Sequence, residues 1–258
     1  MNRVIRKHSV FAFVFAIAVL GAPGLVSAAP VVFEASGATP ADIQASVDAY
    51  RTVLGPLNPN VAGSFPSGRR EINWDAVPDA FAAPNKLPAG FFNANSPRGA
   101  VFFTPGRGFQ VSADSDNPTL TPILFGNLHP TFPQIFSTFS PQRLFTALDS
   151  TITETLFFVP GSATGATVSG FGVVFTDVNR ADSTKVEYFD SGGRLLFSRN
   201  VLPGPTRRGS LSFLGVGFDA GERVTLVRIT SGNRVPRGPS SDVVVMDDFI
   251  YGEPQNLP

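Results

Sequence analysis

From Gly99 onward the sequence alternates apolar and polar residues in short runs, and this period of two constrains the fold most. Successive residues of a β-strand point to opposite faces, so such runs predict strands with one face in a core. Turn signals at Asp190–Gly193 and Asp219–Glu222 separate some of the runs, and no helical pattern alternates with them. The candidate strands are Ala100–Thr104, Gly108–Ala113, Gln142–Thr146, Thr155–Val159, Val168–Thr176, Thr184–Asp190, Arg194–Asn200, Leu211–Phe218, Arg223–Thr230 and Asp242–Tyr251. The pattern predicts an all-β fold, a jelly-roll-like antiparallel β-sandwich, rather than a parallel α/β sheet.

One helix is predicted before these strands, over Thr39–Gly55. Thr39 is suited to the N-cap and Pro40 to the first helical position. Four apolar residues recur on one face at helical spacing: Ile43, Val47, Tyr50 and Leu54. We therefore expect a single N-terminal helix that covers one end or one face of the sandwich.

Residues 57–97 form a long irregular stretch that contains the only tryptophan, Trp74. A long loop in a compact domain is usually functional or disordered, and the Trp and Phe content argues against disorder. We predict that this loop packs on the sandwich and that Trp74, Asn73 and Arg98 bind a ligand. The predicted division is a signal peptide at 1–28, the helix and Trp-bearing loop at 29–97, and the β-sandwich domain at 98–258.

The N-terminus predicts export. A basic segment ending at Lys7 precedes the apolar run Val10–Leu20, and Val26–Ala28 supplies the small residues of a cleavage site. This apolar run is shorter than the roughly 20 residues that span a bilayer. We expect Met1–Ala28 to be a cleaved signal peptide and not a membrane anchor, and the protein to be secreted or periplasmic.

The charge and the chemistry-bearing residues exclude several classes of function. Cleavage would leave 17 basic and 20 acidic residues, a formal charge of −3, without the basic clusters that bind nucleic acid. The chain has no Cys, and His129 would be its only His, which excludes zinc sites built from several His or Cys. No phosphate-binding or dinucleotide motif is present. Paired carboxylates are the remaining catalytic route.

Three acidic positions stand out from the other carboxylates. Asp247 and Asp248 lie inside an apolar strand, and alternation predicts that one of them faces inward, where it needs a cation or a hydrogen-bond donor. Asp177, Asn179 and Asp75 lie at strand or loop ends, and their oxygens are of the type that calcium binds. One expectation is a structural calcium ion whose ligands are Asp247, Asp177, Asn179 and Asp75, with Asn73 as a further candidate. The alternative is a salt bridge to the Asp247–Asp248 pair from Arg228 or Arg98.

Four segments carry a family resemblance: Arg69–Asp75, Asn95–Gly99, Gly170–Val178 and Asp247–Pro254. Together they resemble uncharacterised exported bacterial β-sandwich proteins, some of which carry a C-terminal sorting segment that begins Pro-Glu-Pro. Those sorted relatives continue into an apolar helix and a basic tail, which do not follow Pro254 in this sequence. The second half is also similar to carbohydrate-binding jelly rolls. The resemblance implies an exported sandwich and carries no established activity.

Three classes of function fit these observations. The first expectation is a non-catalytic binding or adhesion module with a glycan or a cell-surface molecule as its partner. The second is a structural envelope or matrix protein, which a charged fraction of only 16% and a total of 25 Phe favour. The third is a hydrolase that uses paired carboxylates, which the scarcity of His and the lack of catalytic motifs disfavour.

Overall fold

The computed structural model describes residues 1, 29–206, 208–238 and 242–257, and it is mostly β. Residues 2–28 of the predicted signal peptide lie outside the described residues. The strands are β1 (Val31–Gly37), β2 (Arg69–Ile72), β3 (Ala100–Phe103), β4 (Phe109–Val111), β5 (Phe145–Ala147), β6 (Ile152–Phe157), β7 (Ala166–Thr167), β8 (Gly170–Thr176), β9 (Lys185–Phe189), β10 (Leu195–Asn200), β11 (Leu211–Gly217), β12 (Leu226–Thr230), β13 (Val245–Gly252) and β14 (Gln255–Asn256). The helices are α1 (Pro40–Leu54) and α2 (Phe91–Ala94), with 3₁₀ turns at Asp79–Phe81 and Phe132–Gln134. Within these ranges, no helix has the length and apolar character needed to cross a membrane.

Two antiparallel sheets pack as a sandwich. The larger sheet has the order β1-β11-β8-β13-β5-β4, and β2 also pairs with β13. The smaller sheet has the order β10-β9-β12-β6-β3, and β14 pairs separately with β7. Each of the ten candidate strands overlaps an observed strand, so the prediction of an antiparallel β-sandwich from the period of two is confirmed.

Aromatic rings fill much of the core. Trp74 stacks on Phe145 with ring centroids 4.1 Å apart, and Phe92 and Phe249 meet it edge-on at 5.4 and 5.1 Å. Strands β6, β9 and β12 alternate buried and partly exposed residues, as the period of two predicts. Strands β8, β11 and β13 are buried throughout, because α1 and a second apolar cluster around Phe132 cover the outer face of the larger sheet.

Helix α1 lies against that outer face, which confirms the predicted helix and its packing. The predicted apolar face is buried, with Tyr50 at its centre over two glycines of the larger sheet. A Cβ at Gly172 would lie 2.7 Å from the Tyr50 ring, and one at Gly215 would lie 2.8 Å from it. Only glycine therefore leaves room for this ring. The packing brings Arg51, in the last turn of the helix, beside β2 and β13.

The region 29–97 contributes two strands to the larger sheet. Strand β1 pairs antiparallel with β11 from Val31 to Gly37. Strand β2 pairs antiparallel with β13, with Ile72 opposite Phe249. The sequence analysis predicted only a helix and a loop here, so the larger sheet begins earlier in the chain than the period of two indicated.

Candidate functional site

A β-bulge in β13 sets the geometry of the candidate site. The pairing of β13 with β8 shifts between Met246 and Phe249, which gives β13 an extra residue. Both neighbouring carboxylates, those of Asp247 and Asp248, accept hydrogen bonds from Ser140 Oγ, at 3.2 and 2.6 Å. The expectation that they point to opposite faces is wrong, because the bulge interrupts the alternation of the strand.

Burial dominates the protonation of this carboxylate pair. It raises the pKa of Asp247 well above its ordinary value, and the neighbouring charge of Asp248 raises that pKa further. Burial also raises the pKa of Asp248 to about 6, although the hydrogen bond from Ser140 and the charge of Arg51 lower it. The backbone N–H of Phe139 donates to Asp247 Oδ2 at 2.6 Å. Burial and the neighbouring charge thus disfavour the ionised form of both carboxyl groups.

The cation beside this pair is Arg51, whose Nη2 lies 3.6 Å from Asp248 Oδ2. The prediction that Arg228 or Arg98 forms a salt bridge with the Asp247–Asp248 pair is wrong. Arg228 pairs with Glu154 across β12 and β6 of the smaller sheet, with 2.6 Å between Nη2 and Oε1. The residue pattern of β13 alone does not indicate that Arg51 of α1 packs beside Asp248.

A cleft of about 520 Å³ opens in front of Asp248. Its lining combines amide, guanidinium, carboxylate and hydroxyl groups with three apolar side chains. These residues are Gln44, Arg51, Leu57, Asn60, Glu71, Asn73, Arg98, Phe139, Ser140, Pro141 and Asp248. Two of the three predicted ligand-binding residues, Asn73 and Arg98, thus line the same cleft.

Two arginines form ion pairs with Glu71, which lines this cleft. Arg51 donates to Glu71 through Nε at 3.0 Å and through Nη2 at 2.9 Å, which is a bidentate pair. Arg69 Nε donates to Glu71 Oε1 at 2.6 Å. Because Arg51 also approaches Asp248, the two carboxylates that line the cleft are held by one guanidinium.

Trp74 lies in the core and is only 1% exposed. Its Nε1–H donates to the carbonyl oxygen of Asp247 at 2.7 Å, next to the bulge. It also lines a smaller pocket of about 200 Å³, which shares Asn73 and Arg98 with the cleft. Trp74 therefore stabilises the bulge from within the core and is not an exposed ring on which a ligand could stack.

The four expected calcium ligands lie in three hydrogen-bond networks, because Asn179 and Asp177 share one. Asp75 Oδ1 accepts the backbone N–H groups of Gln142 and Arg143, at 2.6 and 3.0 Å. Asn179 Nδ2 donates to the carbonyl oxygen of Asp177 at 3.1 Å, at the end of β8. Among the described residues, no group of three or more His, Cys, Asp or Glu side chains is placed to hold a metal ion. Asp247, Asp177 and Asp75 therefore do not form a shared cation site in this structure.

Arg98 occupies the junction between the cleft and the smaller pocket. The residue is 8% exposed, its guanidinium lies over the Phe92 ring at 5.0 Å, and its Nη1 donates to Ser96 Oγ. Its Nε has no hydrogen-bond partner among the described residues. Burial lowers the pKa of Arg98, and the charge of Arg70 lowers it further.

Arg70 and Glu253 form a buried ion pair that ties β2 to the end of β13. Arg70 Nε and Nη2 donate to the Glu253 carboxylate at 2.6 and 2.8 Å, and both side chains are almost fully buried. Glu253 also accepts hydrogen bonds from Asn58 Nδ2 and from the backbone N–H of Phe65. Two segments that carried the family resemblance thus meet in a structural contact behind the cleft.

Sequence reasoning missed the residues that tertiary packing adds to the site: Gln44, Arg51, Asn60, Glu71 and Ser140. Arg51 lies on a helix that was predicted only for its apolar face. Ser140 lies in an irregular segment whose backbone is held by the side chains of Asp247 and Asp75. Neither residue has a local pattern that indicates its contact with Asp248, because Ser140 lies 108 residues before Asp248 in the sequence and Arg51 lies still farther away.

Comparison of this chain with protein-family models, curated proteins and solved structures finds no match. The chemistry of the cleft is therefore the basis for assigning a function. Its lining combines the paired charges of Arg51 and Glu71 with amide groups and the Arg98 guanidinium.

Proposed function

We propose that the protein is a secreted, non-catalytic binding module, a jelly-roll-like sandwich whose cleft binds a glycan. The observation that carries this proposal is the pair of amide side chains in the cleft that have no hydrogen-bond partner among the described residues. Asn60 and Asn73 are exposed, and within the described residues neither side-chain amide makes a hydrogen bond. Amides both donate and accept, which suits sugar hydroxyls.

The apolar part of the lining supports the same class of ligand. Leu57, Phe139 and Pro141 share the cleft with the polar groups. A sugar ring has apolar C–H faces and a polar edge, so it needs a site that offers both kinds of surface. Binding pockets commonly combine apolar walls with a few placed polar groups.

The carboxylates of the cleft favour binding over hydrolysis. A glycosidase needs two carboxyl groups that face the scissile bond, one of them as an acid. Glu71 is engaged by two arginines, and Asp248 by Ser140 and Arg51. Asp247 does not line the cleft. We therefore expect no turnover of glycoside, ester or peptide substrates.

A glycan array with the purified protein tests the proposal. We expect a defined set of hits, and at least tenfold weaker binding to those hits after the double substitution Asn60→Ala and Asn73→Ala. Asn200→Ala is the matched control, because Asn200 is an exposed asparagine in β10 of the other sheet. No hits, together with salt-resistant self-assembly, would overturn the binding proposal in favour of a structural protein.

A further inference from the structure

Arg98 is the one buried arginine of the described residues that no carboxylate accompanies. Three arginines are buried: Arg70, Arg98 and Arg143. Arg70 pairs with Glu253 at 2.6 Å, and Arg143 pairs with Asp79 at 2.5 Å and with Asp114. Arg98 forms no ion pair with a described acidic side chain, and its Nε lacks a hydrogen-bond partner. A guanidinium stays protonated in proteins, so this is an uncompensated buried charge.

The position of this guanidinium is fixed by the surrounding fold. The backbone N–H of Arg98 donates to the Phe92 carbonyl at 2.9 Å, and its carbonyl oxygen accepts the Tyr251 hydroxyl at 3.0 Å. Gly99 follows with a φ of +75°, where a Cβ would lie 2.2 Å from the Phe158 carbonyl oxygen. The side chain stacks over the Phe92 ring. The group is thus held in place before any ligand arrives, which reduces the entropy lost on binding.

The charges around the cleft leave this position positive. Glu71 is matched by Arg51 and Arg69, and Asp248 lies beside Arg51. The positive charge of Arg70 lowers the pKa of Arg98, but Arg70 is itself paired with Glu253. Arg98 Nε is buried without a hydrogen-bond partner among the described residues, and the residue lines both cavities.

We propose that Arg98 binds the carboxylate of an acidic ligand. This assignment of ligand class rests on the proposed glycan-binding function. With a glycan as the ligand, the carboxylate belongs to a uronic-acid unit. A guanidinium and a carboxylate match as two parallel N–H···O hydrogen bonds, and Arg98 lines both cavities without an acidic partner among the described residues. Asn73, which lines both cavities beside Arg98, is placed to contact the hydroxyls of the same sugar.

The first test compares a galacturonic acid trimer with its carboxyl-reduced, neutral form by isothermal titration calorimetry. We expect the wild-type protein to bind the acidic trimer at least tenfold more tightly. Arg98→Gln should abolish that difference. Arg228→Gln is the matched control, because Arg228 also stacks on a Phe ring but has Glu154 as its partner.

The wild-type measurement decides the inference even if Arg98→Gln fails to fold. Equal affinity for the two trimers would overturn the carboxylate site and leave the glycan-binding function standing. If neither trimer binds, sodium glucuronate, sodium acetate and sodium chloride are compared at equal ionic strength by thermal unfolding. A rise in Tm with glucuronate alone supports the site, and Arg98→Gln should lose that rise. Equal midpoints in the three salts, or an equal rise with acetate, would overturn the uronate assignment.

Discussion

The indole Nε1–H of Trp74 donates a 2.7 Å hydrogen bond to the carbonyl oxygen of Asp247. This contact joins the long N-terminal loop to the bulge of β13, where the regular ladder is interrupted. A carbonyl that loses its ladder partner at a bulge needs another donor, and the tryptophan supplies one. The same indole stacks on Phe145, so one side chain fixes both the core and the strand that carries the carboxylate pair.

Trp74→Phe tests this role. The substitution keeps an aromatic ring in the core and removes the only side-chain donor of the indole. We expect the free energy of unfolding to fall by about 1–3 kcal/mol, the cost of an unsatisfied buried polar group plus a smaller ring. Urea unfolding followed by circular dichroism measures it, since the variant has no tryptophan fluorescence. An unchanged free energy would show that water or a backbone shift replaces the indole.

The sequence predicted the parts of the fold that depend on local pattern. The period of two located the strands from β3 onward except the two-residue strands β7 and β14, and the spacing of apolar residues located α1 and its buried face. The sequence analysis also missed β1, and it missed β2 because Arg69, Arg70 and Glu71 read as a charged loop. Arg70 is buried only because Glu253 meets it from the other end of the chain.

The sequence predicted some of the residues of the candidate site but not the contacts between them. Asn73 and Arg98 were singled out and line one cleft, but their proximity to Arg51 and Ser140 depends on how α1 and the segment 137–143 pack. The bulge that aligns Asp247 with Asp248 contains neither Gly nor Pro. Strict alternation was therefore the natural expectation for β13, and long-range pairing overrode it.

The pH dependence of stability provides a second prediction, through Asp177. Burial raises the pKa of this carboxyl to about 7 in the folded protein, from an ordinary value of 3.8, and the nearby charge of Asp242 also raises it. Between these two values the unfolded chain releases a proton that the folded protein keeps. The free energy of unfolding should therefore fall as the pH rises from about 4 to about 7. The same sign holds for Asp248, whose pKa is raised to about 6.

Asp177→Asn isolates the contribution of that carboxyl. We expect the variant to be more stable than the wild type at pH 8 by about 1–3 kcal/mol, because no buried charge has to form. At pH 4 the two proteins should be closer in stability. Thermal unfolding across this pH range measures both, with exposed Asp219→Asn as the control that keeps the wild-type profile. A parallel profile for Asp177→Asn would contradict the assignment.

The buried ion pair behind the cleft gives a third prediction. Glu253→Gln removes one charge of the Arg70–Glu253 pair and leaves the other buried, which should cost about 3–5 kcal/mol. Glu34→Gln is the control, because the Glu34–Arg199 pair is partly exposed and its loss should cost at most about 1 kcal/mol. Chemical unfolding of the two variants measures the difference. Equal losses would show that the Arg70 guanidinium finds enough acceptors among the loop carbonyls.

Export gives a fourth prediction. The basic segment before Val10–Leu20 and the small residues Val26 and Ala28 predict cleavage by signal peptidase. Mass spectrometry of protein from the medium or the periplasm should show a chain that starts at Ala29, or one residue later at Pro30. Recovery of membrane-bound protein that retains Met1 would contradict export with cleavage.

The last prediction concerns calcium, for which the sequence offered suitable oxygen ligands. In the structure, the oxygens of Asp247 are hydrogen-bonded to Phe139 and Ser140, and those of Asp75 to backbone N–H groups at Gln142 and Arg143. Calcium binding takes six to eight oxygens around one point, and the described acidic side chains do not converge in that way. A ligand that binds only the folded state raises its stability by mass action. We therefore expect the same unfolding midpoint in excess calcium and in excess chelator, with magnesium as the control for ionic strength. A saturable rise with calcium alone would show that the carboxylates rearrange around the ion, and Asp75→Asn and Asp247→Asn would then identify which of them bind it.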